Sequence, residues 1–185
     1  MQIIKIKNKY GNIIECYLKE LDISYLDKID KLQNEIVEGL EDKEWFATTE
    51  KEQYESYLRD KETIILGVVN KNNDELIAMS VYVKFGYDEE NYGYDLDISG
   101  EELLSVAQIE SSMVRKEYRG NGLQVLLCSE LEKVARNDHM KILSATVCPN
   151  NKYSLNSVTK LGYKAVKEKL KYGGYRRYIL MKKLV

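Results

Sequence analysis

Residues 114–135 read VRKEYRGNGLQVLLCSELEKVA, and this stretch joins two different periodicities. The run before it, Val106–Val114, is rich in apolar residues and favours a β-strand. From Leu123 onward the apolar residues recur at helical spacing, which predicts an amphipathic helix. The apolar face of that helix comprises Leu123, Leu126, Leu127, Leu131, Val134 and Ala135.

The strand and the helix meet at Arg119-Gly120-Asn121-Gly122. Glycine tolerates positive φ and carries no Cβ, so a ligand can approach such a backbone closely. The first turn of a helix presents unpaired N–H groups and a partial positive charge. The junction therefore predicts a cradle for phosphate oxygens, to which Arg115 and Arg119 would add charged donors. For the glycine pair alone, a tight turn that binds nothing is the alternative interpretation.

The rest of the chain alternates between helical and strand patterns. Helices are predicted over residues 21–40, 50–59 and 151–160. After a first strand near the N-terminus, further strands are predicted over residues 63–69, 76–85, 142–147, 163–170 and 175–184. The order predicts the α/β (α+β) class, as a single domain over residues 1–185 with a mixed, mostly antiparallel central sheet flanked by helices.

Composition excludes several classes of function. The chain has 185 residues and a formal net charge of -2, whereas nucleic-acid binders are usually strongly basic. No apolar run reaches the ~18–20 residues of a membrane-spanning helix, and lysines interrupt the apolar residues at the N-terminus. The cysteines form no CxxC pair and there is one histidine, so neither a disulfide framework nor a metal site is expected. We expect a cytoplasmic protein that binds no nucleic acid and no membrane.

Two motifs together resemble the GNAT superfamily of N-acetyltransferases. The family's central pattern is (Gln/Arg)-x-x-Gly-x-(Gly/Ala), and here the sequence is Arg119-Gly120-Asn121-Gly122-Leu123-Gln124. Downstream, a strand is followed by Asn151, a predicted helix and Lys160-Leu161-Gly162-Tyr163, which is similar to the family's second landmark. The resemblance covers roughly residues 105–164. It implies the GNAT fold, acetyl-CoA as cosubstrate, no metal, and transfer of an acetyl group to a primary amine.

The resemblance also implies roles for individual residues. The strand before the turn would diverge from its neighbour and present the backbone of Met113 and Val114 to the pantetheine arm of CoA. Asn151 and Ser154 would contact the same arm from the following helix. The residues whose backbone N–H groups would hold the pyrophosphate are Arg119, Gly120, Asn121, Gly122, Leu123 and Gln124.

The sequence departs from the family pattern at two positions. Gln124 replaces the small last residue of the central motif and adds bulk near the pyrophosphate. Val158 stands where many members carry the tyrosine that protonates the departing thiolate. Tyr153 or Ser154 would have to fill that role, or the thiolate would leave without a dedicated donor. A catalytically weak module that binds or senses acyl-CoA is therefore the alternative to an enzyme.

Acetyl transfer to an amine requires removal of a proton from an ammonium group, and a positioned carboxylate is a suitable base. Glu110 is the only carboxylate in the strand Val106–Val114 and is our candidate. An outward-facing, solvated glutamate is the alternative, because strand pairing and any bulge decide the direction of the side chain. A backbone N–H near Val114 would stabilise the oxyanion.

Two segments carry opposite charge. Residues 86–104 hold seven acidic side chains and no basic one, which would suit a cationic acceptor, or would form a solvated loop. Residues 164–183 hold eight basic side chains and one acid, which would contact the CoA 3′-phosphate or an acidic partner, or would form the polar face of two strands.

Cys148 is expected to be exposed. The acceptor, a small-molecule or peptide amine, and the choice between monomer and homodimer stay open.

Overall fold

The computed structural model describes residues 1–184, which form one eight-stranded sheet and four α-helices. The helices are α1 (Leu26–Glu38), α2 (Lys51–Arg59), α3 (Leu123–Asn137) and α4 (Lys152–Lys160). The strands are β1 (Gln2–Lys7), β2 (Ile13–Glu20), β3 (Ile64–Asn70), β4 (Leu76–Val83), β5 (Val106–Val114), β6 (Ile142–Val147), β7 (Lys164–Lys171) and β8 (Tyr175–Lys183).

The strands lie in the order β1-β2-β3-β4-β5-β6-β8-β7, and every neighbouring pair is antiparallel except β5 and β6. This confirms the predicted mixed, mostly antiparallel sheet. Helices α1 and α2 cover one face, where Ile29 and Tyr54 pack against Val81 of β4. Helices α3 and α4 cover the other, where Leu131 and Val158 pack with Tyr82 of the same strand. Val81 and Tyr82 are adjacent in β4 and therefore pack on opposite faces of the sheet, because successive side chains of a strand alternate between the two faces.

The N-terminal region differs from the prediction. Its single predicted strand is a hairpin of β1 and β2, which turns at Gly11 with φ +84°. The helix predicted over residues 21–40 is shorter, because the backbone N–H of Leu21 donates to Ile65 O and Asp22 caps a separate 3-10 turn. Leu21 and Tyr25 nevertheless pack in the same core as α1, which explains why the apolar spacing extends beyond the helix. No helix within residues 1–184 is long and apolar enough to cross a membrane.

Two irregularities in β5 open the centre of the sheet. The parallel ladder with β6 ends at Gln108↔Ser144, although both strands continue, so their carboxyl ends diverge. On the other side, the pairing with β4 shifts between Met79 and Val81, and Ser111 takes the left-handed φ of +47°. These features define a β-bulge, which leaves an extra residue in one strand and changes the direction of the side chains after it.

Candidate functional site

A cavity of about 1310 Å³ lies at the divergence of β5 and β6. Residues at the ends of these strands, at the starts of α3 and α4, and in the connection between α1 and α2 line it. This central cavity is larger than the ~300–1,000 Å³ of most small-molecule sites, so it can hold a long ligand together with a second molecule. The site residues predicted from the sequence line this cavity, except Arg115 and Asn121. Those that line it are Glu110, Met113, Val114, Arg119, Gly120, Gly122, Leu123, Gln124, Asn151, Tyr153 and Ser154.

The glycine turn presents a row of unpaired backbone donors. Gly120 and Gly122 have φ values of +87° and +69°, and a Cβ at either position would project into open space. No side chain caps the N-terminus of α3. Within residues 1–184, none of the N–H groups of residues 120–125 donates to a protein acceptor. The turn and the first residues of α3 therefore form a concave set of donors beside the partial positive charge of the helix.

The two remaining predicted residues face away from the central cavity. The guanidinium of Arg115 contacts the carboxylate of Glu35, and its Nε donates to Leu76 O at 2.8 Å. Asn121 accepts a hydrogen bond from Lys7 N at 2.8 Å and donates to Lys7 O at 2.7 Å, which ties the glycine turn to β1. These contacts hold the turn in position and engage both side chains. The backbone N–H of Asn121, which the sequence predicted as a pyrophosphate donor, is not engaged by them.

A polar link joins the starts of α3 and α4. Gln124 Nε2 donates to Ser154 Oγ at 3.0 Å, and Asn151 Oδ1 caps α4 by accepting from Ser154 N at 3.1 Å. Tyr153 lies beside them and is 79% exposed. Val158 is buried in the apolar cluster under α3 and offers no hydroxyl. The predicted polar residues of α4 therefore meet at the wall of the central cavity.

Glu110 faces the central cavity. Its two carboxylate oxygens accept hydrogen bonds from Gln108 Nε2 at 2.8 Å and from the Tyr57 hydroxyl at 3.3 Å. Burial raises the pKa of Glu110, and the polar groups of Tyr92, Gln108 and Tyr57 beside it oppose that rise only in part. A carboxylate with a raised pKa at the wall of a cavity has the properties of a general base.

Comparison with protein families identifies the fold. A model described as the acetyltransferase (GNAT) family matches residues 26–163, which include the glycine turn, Glu110 and α4. This chain belongs to the GNAT acetyltransferase family. Family membership confirms the resemblance that the two sequence motifs indicated.

Solved GNAT structures share the architecture at low identity. A probable acetyltransferase from Staphylococcus epidermidis is 13% identical, with a TM-score of 0.69 over 92% of this chain and 99% of that chain. NAA60 of Arabidopsis thaliana in complex with acetyl-CoA is 14% identical, with a TM-score of 0.72 over 91% and 98%. The ribosomal-protein-S18-alanine N-acetyltransferase of Escherichia coli is 12% identical, with a TM-score of 0.66 over 91% and 94%. A comparison with curated protein sequences finds no match.

A group of aromatic residues near Glu110 in this GNAT site includes Tyr92, which the sequence offered either as a pocket residue or as a cap on the core, and Tyr57 and Tyr172, which it did not single out. Tyr92 and Tyr172 join hydroxyl to hydroxyl, and Thr146 Oγ1 lies 2.9 Å from the Tyr172 hydroxyl. Burial raises the pKa of Tyr57, and the charge of Glu110 raises it further. These residues come from α2, the acidic segment, β6 and the β7–β8 turn. No local pattern in the sequence brings them together.

The two oppositely charged segments bind each other. Asp95 of residues 86–104 accepts from Lys169 Nζ at 2.6 Å and also contacts Lys171, while Asp97 pairs with Lys167. The acidic segment is therefore anchored to β7, and part of each charge run is neutralised by the other. For Asp95 and Asp97, this pairing differs from both sequence interpretations, the binding of a cationic acceptor and a solvated loop. Cys148 is also buried, at 3% exposure, and was predicted to be exposed.

Buried polar atoms without partners are concentrated at the central cavity. Within residues 1–184 these atoms are Trp45 Nε1, the Tyr163 hydroxyl and Arg177 Nη2. All three residues line the central cavity. A buried polar group normally has a hydrogen-bond partner, so these three donors are available to solvent or to a ligand in the cavity.

Proposed function

We propose that this chain is an N-acetyltransferase that moves an acetyl group from acetyl-CoA to a primary amine by direct attack. The observation that carries the proposal is the row of unpaired N–H groups over residues 120–125, which opens onto the same cavity as the carboxylate of Glu110. One feature suits a diphosphate and the other suits deprotonation of an amine.

The residues at the glycine turn fit CoA. Open space at the Cβ positions of Gly120 and Gly122 lets diphosphate oxygens approach the amides, and the exposed side chain of Arg119 adds a positive charge. The arm of CoA would follow the edge of β5 at Met113 and Val114, where β6 no longer pairs. When bound, acetyl-CoA supplies the activated acetyl group.

Glu110 is the proposed base. An amine reaches the site mostly as an ammonium ion near neutral pH, so a proton must pass to a protein group before attack. The raised pKa of the Glu110 carboxyl makes its carboxylate a stronger base than an exposed glutamate. A backbone N–H near Val114 is the proposed donor to the developing oxyanion.

Tyr153 is the proposed proton donor to the departing thiolate. Its side chain lines the central cavity, and no protein acceptor within residues 1–184 engages its hydroxyl. The hydroxyl of Ser154, by contrast, accepts the hydrogen bond from Gln124. A thiol has a pKa of ~8.5, so its thiolate leaves readily even with a weakly positioned donor.

Release of free CoA with a panel of amines tests the proposal, and Glu110→Gln is the decisive variant. We expect Glu110→Gln to lower kcat by ~10²-fold or more while calorimetry gives an unchanged Kd for CoA. Glu90→Gln is the matched control, because Glu90 also lines the central cavity but is solvent-exposed. Unchanged rates in Glu110→Gln would eliminate this base. Binding of CoA without turnover of any amine would favour the acyl-CoA sensor, and absence of CoA binding would exclude both functions.

A further inference from the structure

Arg177 of β8 is a buried cation without an acidic partner. It is 2% exposed, and no carboxylate within residues 1–184 lies within 4.0 Å of its guanidinium. Its Nη1 donates to the backbone oxygen of Arg176 at 2.8 Å, and its Nη2 has no hydrogen-bond partner. The guanidinium carbon lies 5.6 Å and 5.3 Å from the ring centres of Tyr172 and Tyr175.

Such an arrangement is costly in the free protein. A buried charge requires a partner, because the interior does not replace the hydration that the ion loses. The chain provides carboxylate partners for its other arginine of low exposure. Arg115, whose side chain is 12% exposed, has the carboxylates of Glu35 and Glu75. Arg177 is therefore an exception, and its free Nη2 belongs to a residue that lines the central cavity.

Arg177 and the proposed base line the same cavity. Tyr172, which packs against the guanidinium, joins Tyr92 hydroxyl to hydroxyl. Burial raises the pKa of Tyr172 and of Tyr92, and the nearby charge of Glu110 contributes to both increases. The Tyr92–Tyr172 pair therefore contacts Arg177 through Tyr172, and all three residues line the same cavity as Glu110.

We propose that Arg177 binds a carboxylate of the acceptor, so that the acceptor is a small amino carboxylate such as a free amino acid. Its amine is directed to Glu110 and its carboxylate to the free edge of the guanidinium. Arginine suits this role because its planar fork matches the two oxygens of a carboxylate. This inference rests on the proposed acetyltransferase function and adds the class of substrate.

Paired substrates test the charge of the acceptor. The acetylation of each of the twenty amino acids is compared with that of the corresponding α-amide, which keeps the amine but lacks the negative charge. We expect kcat/KM for the best amino acid to exceed that of its amide at least tenfold in the wild type. In Arg177→Met this ratio falls to near one. A dipeptide series beginning with Asp or Glu distinguishes a side-chain carboxylate from the α-carboxylate of a free amino acid.

Arg176→Met is the matched control. Arg176 is the neighbouring residue of the same type, but it is exposed and pairs with Glu168. The acid-to-amide ratio should persist in this variant. We also expect Arg177→Met to keep the wild-type Kd for CoA and to unfold at the same or a higher denaturant concentration, because an unpaired buried charge is removed. A merely structural arginine would instead lower that midpoint.

Three results would overturn the inference: equal use of acid and amide by the wild type, a preference that survives in Arg177→Met, or loss of CoA affinity in that variant without a change in preference. If no amine is acetylated, the proposed function fails, and the carboxylate site is judged by calorimetry with CoA-loaded protein and the same amino acids. Heat that is present in the wild type and absent in Arg177→Met supports the site. Absence of heat in the wild type rejects it.

Discussion

Asp95→Asn should weaken the attachment of the acidic segment, residues 86–104, to strand β7. The Asp95 side chain is 11% exposed and binds two lysines of β7, Lys169 and Lys171. Burial alone would raise the pKa of Asp95, but the hydrogen bonds from both lysines outweigh it and hold the pKa below its ordinary value. The substitution keeps the shape of the side chain and removes the charge, which leaves two ammonium groups without their anion.

The magnitude follows from the exposure of the partners. Breaking a fully buried ion pair costs ~3–5 kcal/mol, whereas exposed pairs contribute ~0–1 kcal/mol. The side chains of Lys171 and Lys169 are 19% and 45% exposed, so solvent screens part of the interaction. We therefore expect a loss of about 2 kcal/mol, or roughly 4–8 °C in Tm for a domain of this size. Urea unfolding at pH 7, followed by the fluorescence of the single tryptophan and by circular dichroism, measures it.

The pH dependence gives a second test. A depressed pKa means that the stabilising contribution of Asp95 is present above the unfolded pKa of ~3.9 and is lost as pH falls through the lower folded value. The difference between wild type and Asp95→Asn should therefore shrink in acid. Asp97→Asn is the control, because Asp97 is 78% exposed and its pair with Lys167 should contribute less than ~0.5 kcal/mol. Equal effects of the two variants at pH 7, or a difference that stays constant down to pH 3, would refute the reasoning.

Two further predictions concern the glycine turn and the proposed base. Gly122→Ala should weaken CoA binding at least tenfold in calorimetry. The left-handed backbone at this position should also make the variant ~1–2 kcal/mol less stable. Gly100→Ala is the control, because Gly100 has a φ of +60° and open space at its Cβ, so it should lose stability without a defect in CoA binding. Glu110→Gln should be more stable than the wild type at pH 8, and this difference should shrink towards pH 4. The reason is that a raised folded pKa makes wild-type stability fall as pH rises above the unfolded value of ~4.3. A less stable Glu110→Gln at pH 8 would mean that the carboxylate is a structural anion.

The strand, the glycine turn and the helix around residues 114–135 were predictable because their signals are local. An apolar run, two glycines and a helical period each act within a few residues, and β5 and α3 begin where those signals begin. The first strand was predicted without its hairpin partner, although Gly11 marks the turn. The start of α1 was placed too early, because Leu21 packs into the same core from outside the helix.

The direction of Glu110 was not predictable, because it depends on pairing between strands. Alternation along β5 would place residues 109, 111 and 113 on one face of the sheet. Instead Ile109 packs with the core under α3 and Met113 packs with the core under α1, because the bulge at Ser111 lies between them. The direction of a side chain beside a bulge, here that of Glu110, can be assigned only when the pairing of both strands is known.

The number of charged residues in a segment of the sequence does not give the charge that the segment presents to a ligand. Asp95 and Asp97 are neutralised by lysines more than sixty residues away, so they offer little to an incoming amine. The groups that remain to act on a ligand are those that line the central cavity without a protein ion pair, among them Glu110 and Arg177. A buried anion and a buried cation in one cavity favour a molecule that carries both charges over a simple polyamine. In the proposed function, selection of the acceptor therefore depends on Glu110 and Arg177, and the counts of charge along the chain single out neither residue.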